Sequence, residues 1–453
     1  MGNEMSHPLG RRNGLTAQTL RERLNEYLSL QTLAAIAVAF LIFGGRFGIA
    51  GNPQSSGLSA ISDLFHENFL QIRWWLAGGM LVLAAVDFSL DRRPRPEYKA
   101  MPLGLIGFAL MVLSLFISMT YAGHSDKTVE KGVDLIILSM TVLGVHYWAS
   151  RPSKTACDFG RSVLFFCLIL GVMLSLVAVA TADLSSRLAV GDGGPNTFVR
   201  IVGVTALAAL GLQIMPRPLS ILLTLGLLTL VVLTQSRGGL LACVAGLGLV
   251  FVRTFGWRAQ IAYLGSLVTG LACVALFTKV GRQCVDIVTD RFINKTFHDG
   301  YTAGRDEIYE DSISIWMESP FFGHGLASWW DRIGTYPHNI FLELGCDAGI
   351  VAVVAFTFLM SVYALEGYRC RDQIRIVVSS ACLLYFVAAQ FSGDIYDSRS
   401  LFIFGTILVA RRGEESPNRV IRQSSETKVN LAKQATAIEA APNWSLHPSS
   451  RHH

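Results

Sequence analysis

Several short stretches of the chain hold residues whose types could act together. One runs from Ser186-Arg187-Leu188 to Gly193-Gly194-Pro195-Asn196, and another is Thr234-Gln235-Ser236-Arg237-Gly238-Gly239. Further on come Gly304-Arg305-Asp306, Pro320-Phe321-Phe322-Gly323-His324-Gly325 and Tyr336-Pro337-His338-Asn339. The last is Gly393-Asp394-Ile395-Tyr396-Asp397-Ser398-Arg399. A guanidinium keeps its charge and grips phosphate oxygens through paired hydrogen bonds of fixed geometry. Several arginines converging on one face would suit a diphosphate group and could stabilise it as a leaving group without a metal. A histidine titrates near neutral pH, so one placed beside them could take a proton from an attacking hydroxyl.

Each of these residues also has a plainer reading. Arg187 and Arg399 can snorkel at the ends of apolar segments. His338 can be an interfacial histidine, and Asp394 and Asp397 can pair with Arg399 as a loop clamp. Arg237 is harder to set aside, because the small pair Gly238-Gly239 admits another backbone or a ligand close beside it.

The elements that must position these residues follow from composition. Hydrophobic residues make up 51% of the 453-residue chain and charged residues only 16%. A soluble domain carries roughly a quarter charged residues, so this chain belongs in a bilayer. The net charge of +5 is spread over short loops rather than gathered in a stripe, which disfavours nucleic acid as a partner. The eight cysteines form no CxxC pair, and neither a disulfide framework nor a zinc site is expected from them.

Continuous apolar runs of bilayer length predict an all-α, polytopic membrane protein of about twelve spans. They lie near 30–50, 72–90, 102–122, 132–149, 160–182, 198–215, 218–234, 238–255, 260–278, 340–364, 374–392 and 399–410. Residues 1–29 read as a cytoplasmic segment, 30–412 as the membrane domain and 413–453 as a polar, disordered cytoplasmic tail. Basic residues set the orientation. Arg92, Arg93, Arg95, Lys99, Arg151, Lys154, Arg217, Arg253, Arg258, Arg369, Arg371, Arg375, Arg411 and Arg412 fall in alternate loops assigned to the inside. The outside loops 51–71 and 123–131 offer only Lys127 and Lys131. The loop 279–338 then faces outward with the arginine-bearing stretches, which places a catalytic cavity at the periplasmic surface of an inner membrane.

Ser236-Arg237-Gly238-Gly239, followed about 100 residues later by Tyr336-Pro337-His338-Asn339 at the end of a long loop, resembles the O-antigen ligase and Wzy-type polymerase superfamily. The resemblance covers roughly 185–365. It implies a membrane glycosyltransferase that uses an undecaprenyl-diphosphate-linked glycan as donor, with no cofactor and no metal. It implies that Arg237 and Arg305 hold the donor diphosphate and that His338 activates or orients the acceptor. The segment of Arg187 and Asn196 is similar to a less rigid family element, with Arg187 as a further diphosphate contact. Asn339, Asp394, Asp397 and Arg399 are supporting candidates. The acceptor is another lipid-linked repeat unit in a polymerase of exopolysaccharide or O-antigen, or lipid A–core in a ligase. The 393–399 stretch resembles exopolysaccharide polymerases and favours the former. Membrane lipid, a flippase and a chain-length regulator are the further partners such an enzyme implies. A competing class, a transporter or flippase of lipid-linked oligosaccharide, would be expected to show matching halves and charges near the bilayer midplane. No matching halves are visible here.

Overall fold

The computed structural model describes residues 29–43, 59–90, 102–123, 125–151, 159–181, 187–189, 194–254, 256–287, 289–290, 294 and 304–410. The N-terminal segment, Arg92 to Lys99, Lys154, Ser186, Gly193 and the tail from Arg411 lie outside the described residues.

Among the described residues all regular structure is helical. The first helices are α1 (Leu30–Phe43), α2 (Ser59–Leu90), α3 (Leu103–Met119), α4 (Asp126–Ser150) and α5 (Phe159–Ala180). Next come α6 (Gly194–Gly211), α7 (Arg217–Leu233), α8 (Arg237–Thr254), α9 (Trp257–Phe277) and α10 (Lys279–Ile287). The chain continues through α11 (Arg305–Glu318), α12 (Ser328–Ile333), α13 (Ile340–Arg369), α14 (Gln373–Ala388) and α15 (Arg399–Val409). The apolar runs of the sequence coincide with α1–α9 and α13–α15. Among the described residues five segments are long and apolar enough to cross a membrane: Ile72–Leu90 within α2, and α4, α5, α8 and α13. Helices α1, α3, α7, α14 and α15 are apolar but shorter. The chain is a multi-pass membrane protein, and its helices satisfy their backbone groups internally, as hydrocarbon demands.

Local chemistry sets the helix starts. Pro102 and Pro216 stand just before α3 and α7, where a missing N–H is harmless. Ser125 accepts a bond from the Thr128 N–H, so α4 begins at Asp126 and carries Lys127 and Lys131 on the helix rather than in a loop. Asp372 caps α14 through the Arg375 N–H. Where helices cross, small residues let them approach. A methyl group added at Gly203 would lie 2.7 Å from Cys243 and Leu384, and one at Gly211 would lie 2.1 Å from Val377.

Helix α13 breaks at Gly349, whose φ of 68° and ψ of −160° only glycine adopts readily. The break frees the carbonyls of Cys346 and Asp347, and the N–H groups of His324 and Gly325 take them at 2.8 and 3.0 Å. The Ile350 N–H bonds Pro320 O at 2.9 Å. Tyr121, just past α3, donates to Phe322 O at 2.5 Å. The Pro320-to-Gly325 stretch is thus a clasp on the kink of α13, and it steadies the helix whose first turn follows His338.

Candidate functional site

The Thr234–Ser236 turn is the base of the site. Arg187 donates through Nε to Thr234 O and through Nη2 to Gln235 O, both at 3.3 Å, while the Leu188 N–H bonds Leu233 O at 3.2 Å. Arg187 therefore fastens this turn. Gln235 sits at φ 56°, a conformation uncommon for a side-chain-bearing residue. Ser236 then donates to Asn196 Oδ1 at 2.7 Å and accepts the Gly239 N–H at 3.2 Å, capping the start of α8. Arg237 opens α8 and is half-buried. Gly238 and Gly239 are the close-approach pair: a methyl at Gly238 would fall 2.5 Å from Phe391 Cβ, and one at Gly239 would fall 2.1 Å from Val199 Cγ1.

Above this turn lies a small pocket lined by Asn196, Arg200, Ser236, Gly238, Gly239, Arg305, Ala388, Phe391 and Ser392. Its volume is about 10 Å³, room for a single water or one phosphoryl oxygen. Two guanidinium-bearing residues, two hydroxyls, an amide and the N-terminal turn of an 18-residue helix surround it, with no carboxylate residue among the lining. Both the cations and the positive end of the helix favour an anion. Among the described residues Arg237 does not line this pocket, although the residues on either side of it do.

Arg200 is the functional candidate that the sequence reading passed over. It lies in α6, 6% exposed, and its guanidinium is held by oxygens of the turn after α14. Nη2 donates to Ser392 Oγ at 2.8 Å, to Ser392 O in a still closer contact, and to Ala388 O at 3.4 Å. Nη1 donates to Asp397 O at 3.4 Å. The available signal was an arginine inside an apolar run near its first residues, a costly placement that marks a candidate for function.

Arg305 enters the pocket from α11, where Gly304 precedes it at φ 72°. A cation at the first residue of a helix sits at the positive end of the dipole, which does not stabilise the helix. Arg305 lines the pocket from this position. His338 has φ 58°, and its ring stands edge-on to Tyr336 with centroids 4.3 Å apart. Its buried Nδ1 has no hydrogen-bond partner among the described residues. Burial first, and the nearby Arg305 cation second, hold its imidazole below the usual 6.5. It is therefore a neutral imidazole at neutral pH, able to accept a proton. Asn339 caps α13 through the Phe341 and Leu342 N–H groups at 2.9 and 3.3 Å, and its Nδ2 reaches Gln390 O at 3.4 Å.

The 393–399 stretch has a different place. Arg399 is buried, donates from Nε to Leu41 O at 2.6 Å and from Nη1 to Tyr396 O at 3.2 Å, and lies 5.0 Å from the Tyr396 ring centre. Asp394 forms an ion pair with Lys131, and its Oδ1 accepts the Asp397 N–H at 2.7 Å. The contacts of Arg399 thus tie α15 to α1, while Asp394 and Asp397 shape the turn that holds Arg200.

Among the described residues the fold and this pocket define a class: an all-helical, multi-pass membrane protein with a small pocket lined by two arginines. Residues 221–357 match the protein family described as O-antigen ligase, which supports assignment of the chain to the O-antigen ligase/Wzy-type superfamily. The description of that family points to membrane glycan processing, and the match spans less than a third of the chain. The matched segment includes Arg237, Arg305, His338 and Asn339, while Arg187, Asn196, Arg200 and the 393–399 turn lie outside it. No curated protein matches the chain.

Proposed function

We propose that this protein transfers a glycan from undecaprenyl diphosphate to a sugar hydroxyl at the periplasmic face of the inner membrane. The chain then spans the membrane about twelve times with both ends in the cytoplasm, in keeping with the bias of basic residues. The observation that carries the reading is the convergence of Arg200, Arg305 and the start of α8 on one pocket, with His338 close enough to Arg305 to feel its charge. Arg200 and Arg305, joined by Arg237 at the mouth of α8, hold the donor diphosphate. The acceptor oxygen attacks the anomeric carbon as the bond from that carbon to the phosphate oxygen breaks. The electron pair leaves with the polyprenyl diphosphate, where the arginines offset its charge. The hydroxyl proton passes to the His338 imidazole. The arginines need no metal partner to do this. Arg187 and Asn196 support the turn beneath the pocket, and Asn339 aims the segment that carries His338.

The acceptor in this reading is a second lipid-linked repeat unit, which makes the enzyme a polymerase. The description of the matched family, O-antigen ligase, favours a second reading with lipid A–core as acceptor. Purified protein in lipid vesicles, given a polyprenyl-diphosphate repeat unit alone or with lipid A–core, separates them. A ladder from the repeat unit alone is expected. Product only with lipid A–core would make the enzyme a ligase, and no transfer with either would reject the proposal.

A further inference from the structure

The turn between α14 and α15, residues 389–398, is where the elements of the site meet. Arg200 of α6 binds Ser392, Ala388 and Asp397. Tyr309 of α11 donates to Gln390 O at 3.1 Å, Asn339 reaches the same carbonyl, and the Ile340 N–H bonds Ala389 O at 3.1 Å. The helices bearing Arg200 and Arg305 and the segment bearing His338 therefore share one support.

A second set of contacts holds that support. Lys131 of α4 forms an ion pair with Asp394, and its Nζ lies 3.9 Å from Asp134, which pairs with Arg73 at 3.1 Å. The side chains of Lys131 and Asp394 are 11% and 9% exposed. Asp394 in turn fixes the Asp397 N–H, and the buried Glu343 of α13 accepts the N–H of Ile395. An exposed pair adds little stability, and a buried one gives up in desolvation much of what attraction returns. A buried pair is better suited to fixing one arrangement over others, and this one fixes the turn that aims Arg200.

We infer that Lys131 is a positioning residue: through Asp394 it sets the 389–398 turn, and through that turn the place of the Arg200 guanidinium in the pocket. The effect on transfer rests on the glycosyl-transfer reading above, whereas the effect on the turn does not.

The test compares full-length wild type, Lys131→Met and Lys131→Met/Asp394→Asn in lipid nanodiscs. The single variant leaves the buried Asp394 carboxylate without its partner and can fail to fold, while the double variant removes that charge as well and leaves Asp134 its pair with Arg73. In the double variant, melting should stay near wild type. Amide exchange across 389–398 should speed at least tenfold while exchange in α5 stays unchanged. Turnover should fall at least tenfold, and adding Arg200→Lys should lower it less than twofold further, because both act on the same guanidinium. Wild-type exchange in 389–398 would overturn the inference, reducing Lys131 to charge compensation. Faster exchange with unchanged turnover would overturn its link to the site. If wild type transfers nothing, the glycosyl-transfer reading fails, and the exchange data alone decide whether Lys131 sets the turn.

Discussion

Replacing Gly239 with alanine puts a methyl group 2.1 Å from Val199 Cγ1, 3.0 Å from Val199 Cβ and 2.8 Å from Ser236 Oγ. Ordinary contact for such a methyl begins near 3.4 Å, so Val199 must retreat by about an ångström within a buried face of α6. The Ser236 hydroxyl must also shift away from the Asn196 oxygen it bonds at 2.7 Å. Overpacking of this kind costs about 1–3 kcal/mol. Loss of the Ser236 bond adds about 0.5–1.5 kcal/mol, and the better helix propensity of alanine returns about 1 kcal/mol. A net destabilisation of about 0.5–3.5 kcal/mol should follow, measured by thermal or denaturant unfolding in detergent. Val199→Ala removes the Cγ1 methyl that makes the closest clash, so the double variant should be more stable than the two single losses together predict, with a coupling of about 0.5–3 kcal/mol. Donor binding should weaken in the single variant and recover in part in the double. If Gly239→Ala is as stable as wild type, or the two losses simply add, the close approach of α6 and α8 at this pair is not what the glycine provides.

Other expectations concern the chemistry and the topology. His338→Ala should lower turnover by about 100- to 10,000-fold, the usual contribution of a general base, with donor binding little changed; full activity would leave this histidine an interfacial anchor. Because burial and Arg305 hold its imidazole below the usual 6.5, the neutral base persists above that lowered value and is lost as pH falls through it. The acid limb of the pH–rate profile should therefore be centred below 6.5, and a limb centred above it would contradict the assignment. Transfer should continue in excess EDTA, since the arginines offset the diphosphate charge; loss restored by Mg²⁺ or Mn²⁺ would reveal a metal site. Glu310→Cys, exposed on α11, should react with an impermeant maleimide from the periplasmic side, and labelling only after the inner membrane is permeabilised would reverse the placement of the site.

The helices were readable because apolar runs of bilayer length have few other solutions, and their starts were readable wherever a cap is local. Asn339 stands directly before an apolar run and caps it, as a sequence pattern can announce. Lys131 was read as a charge in a short outside loop, yet Ser125 starts the helix early and the partner of Lys131 lies 263 residues away. No local pattern encodes such a pair. Arg200 was hidden for the same reason, since its acceptors come from 388–397, almost 200 residues further along. The Pro320-to-Gly325 stretch drew notice for its composition, but its partner, the break at Gly349, is visible only once the two segments are packed. Arg237, Arg305 and His338 were named by pattern. The pocket that brings Arg305 toward Arg200 is a property of the fold.

The central claim is that the arginines gathered at this pocket hold the donor diphosphate, with one phosphoryl oxygen in the pocket itself, and donor binding tests it most directly. A fluorescent polyprenyl-diphosphate glycan would be titrated against wild type and against Arg200→Lys, Arg237→Lys and Arg305→Lys in nanodiscs, with the matching polyprenol as control. Lysine offers a point charge without the paired donors of the guanidinium. Each variant should therefore bind the diphosphate donor about tenfold more weakly or worse, as expected for loss of a charged hydrogen bond of about 1.5–3 kcal/mol. The polyprenol should bind all four proteins alike. Unchanged donor affinity in the three lysine variants would place the diphosphate elsewhere and contradict the account.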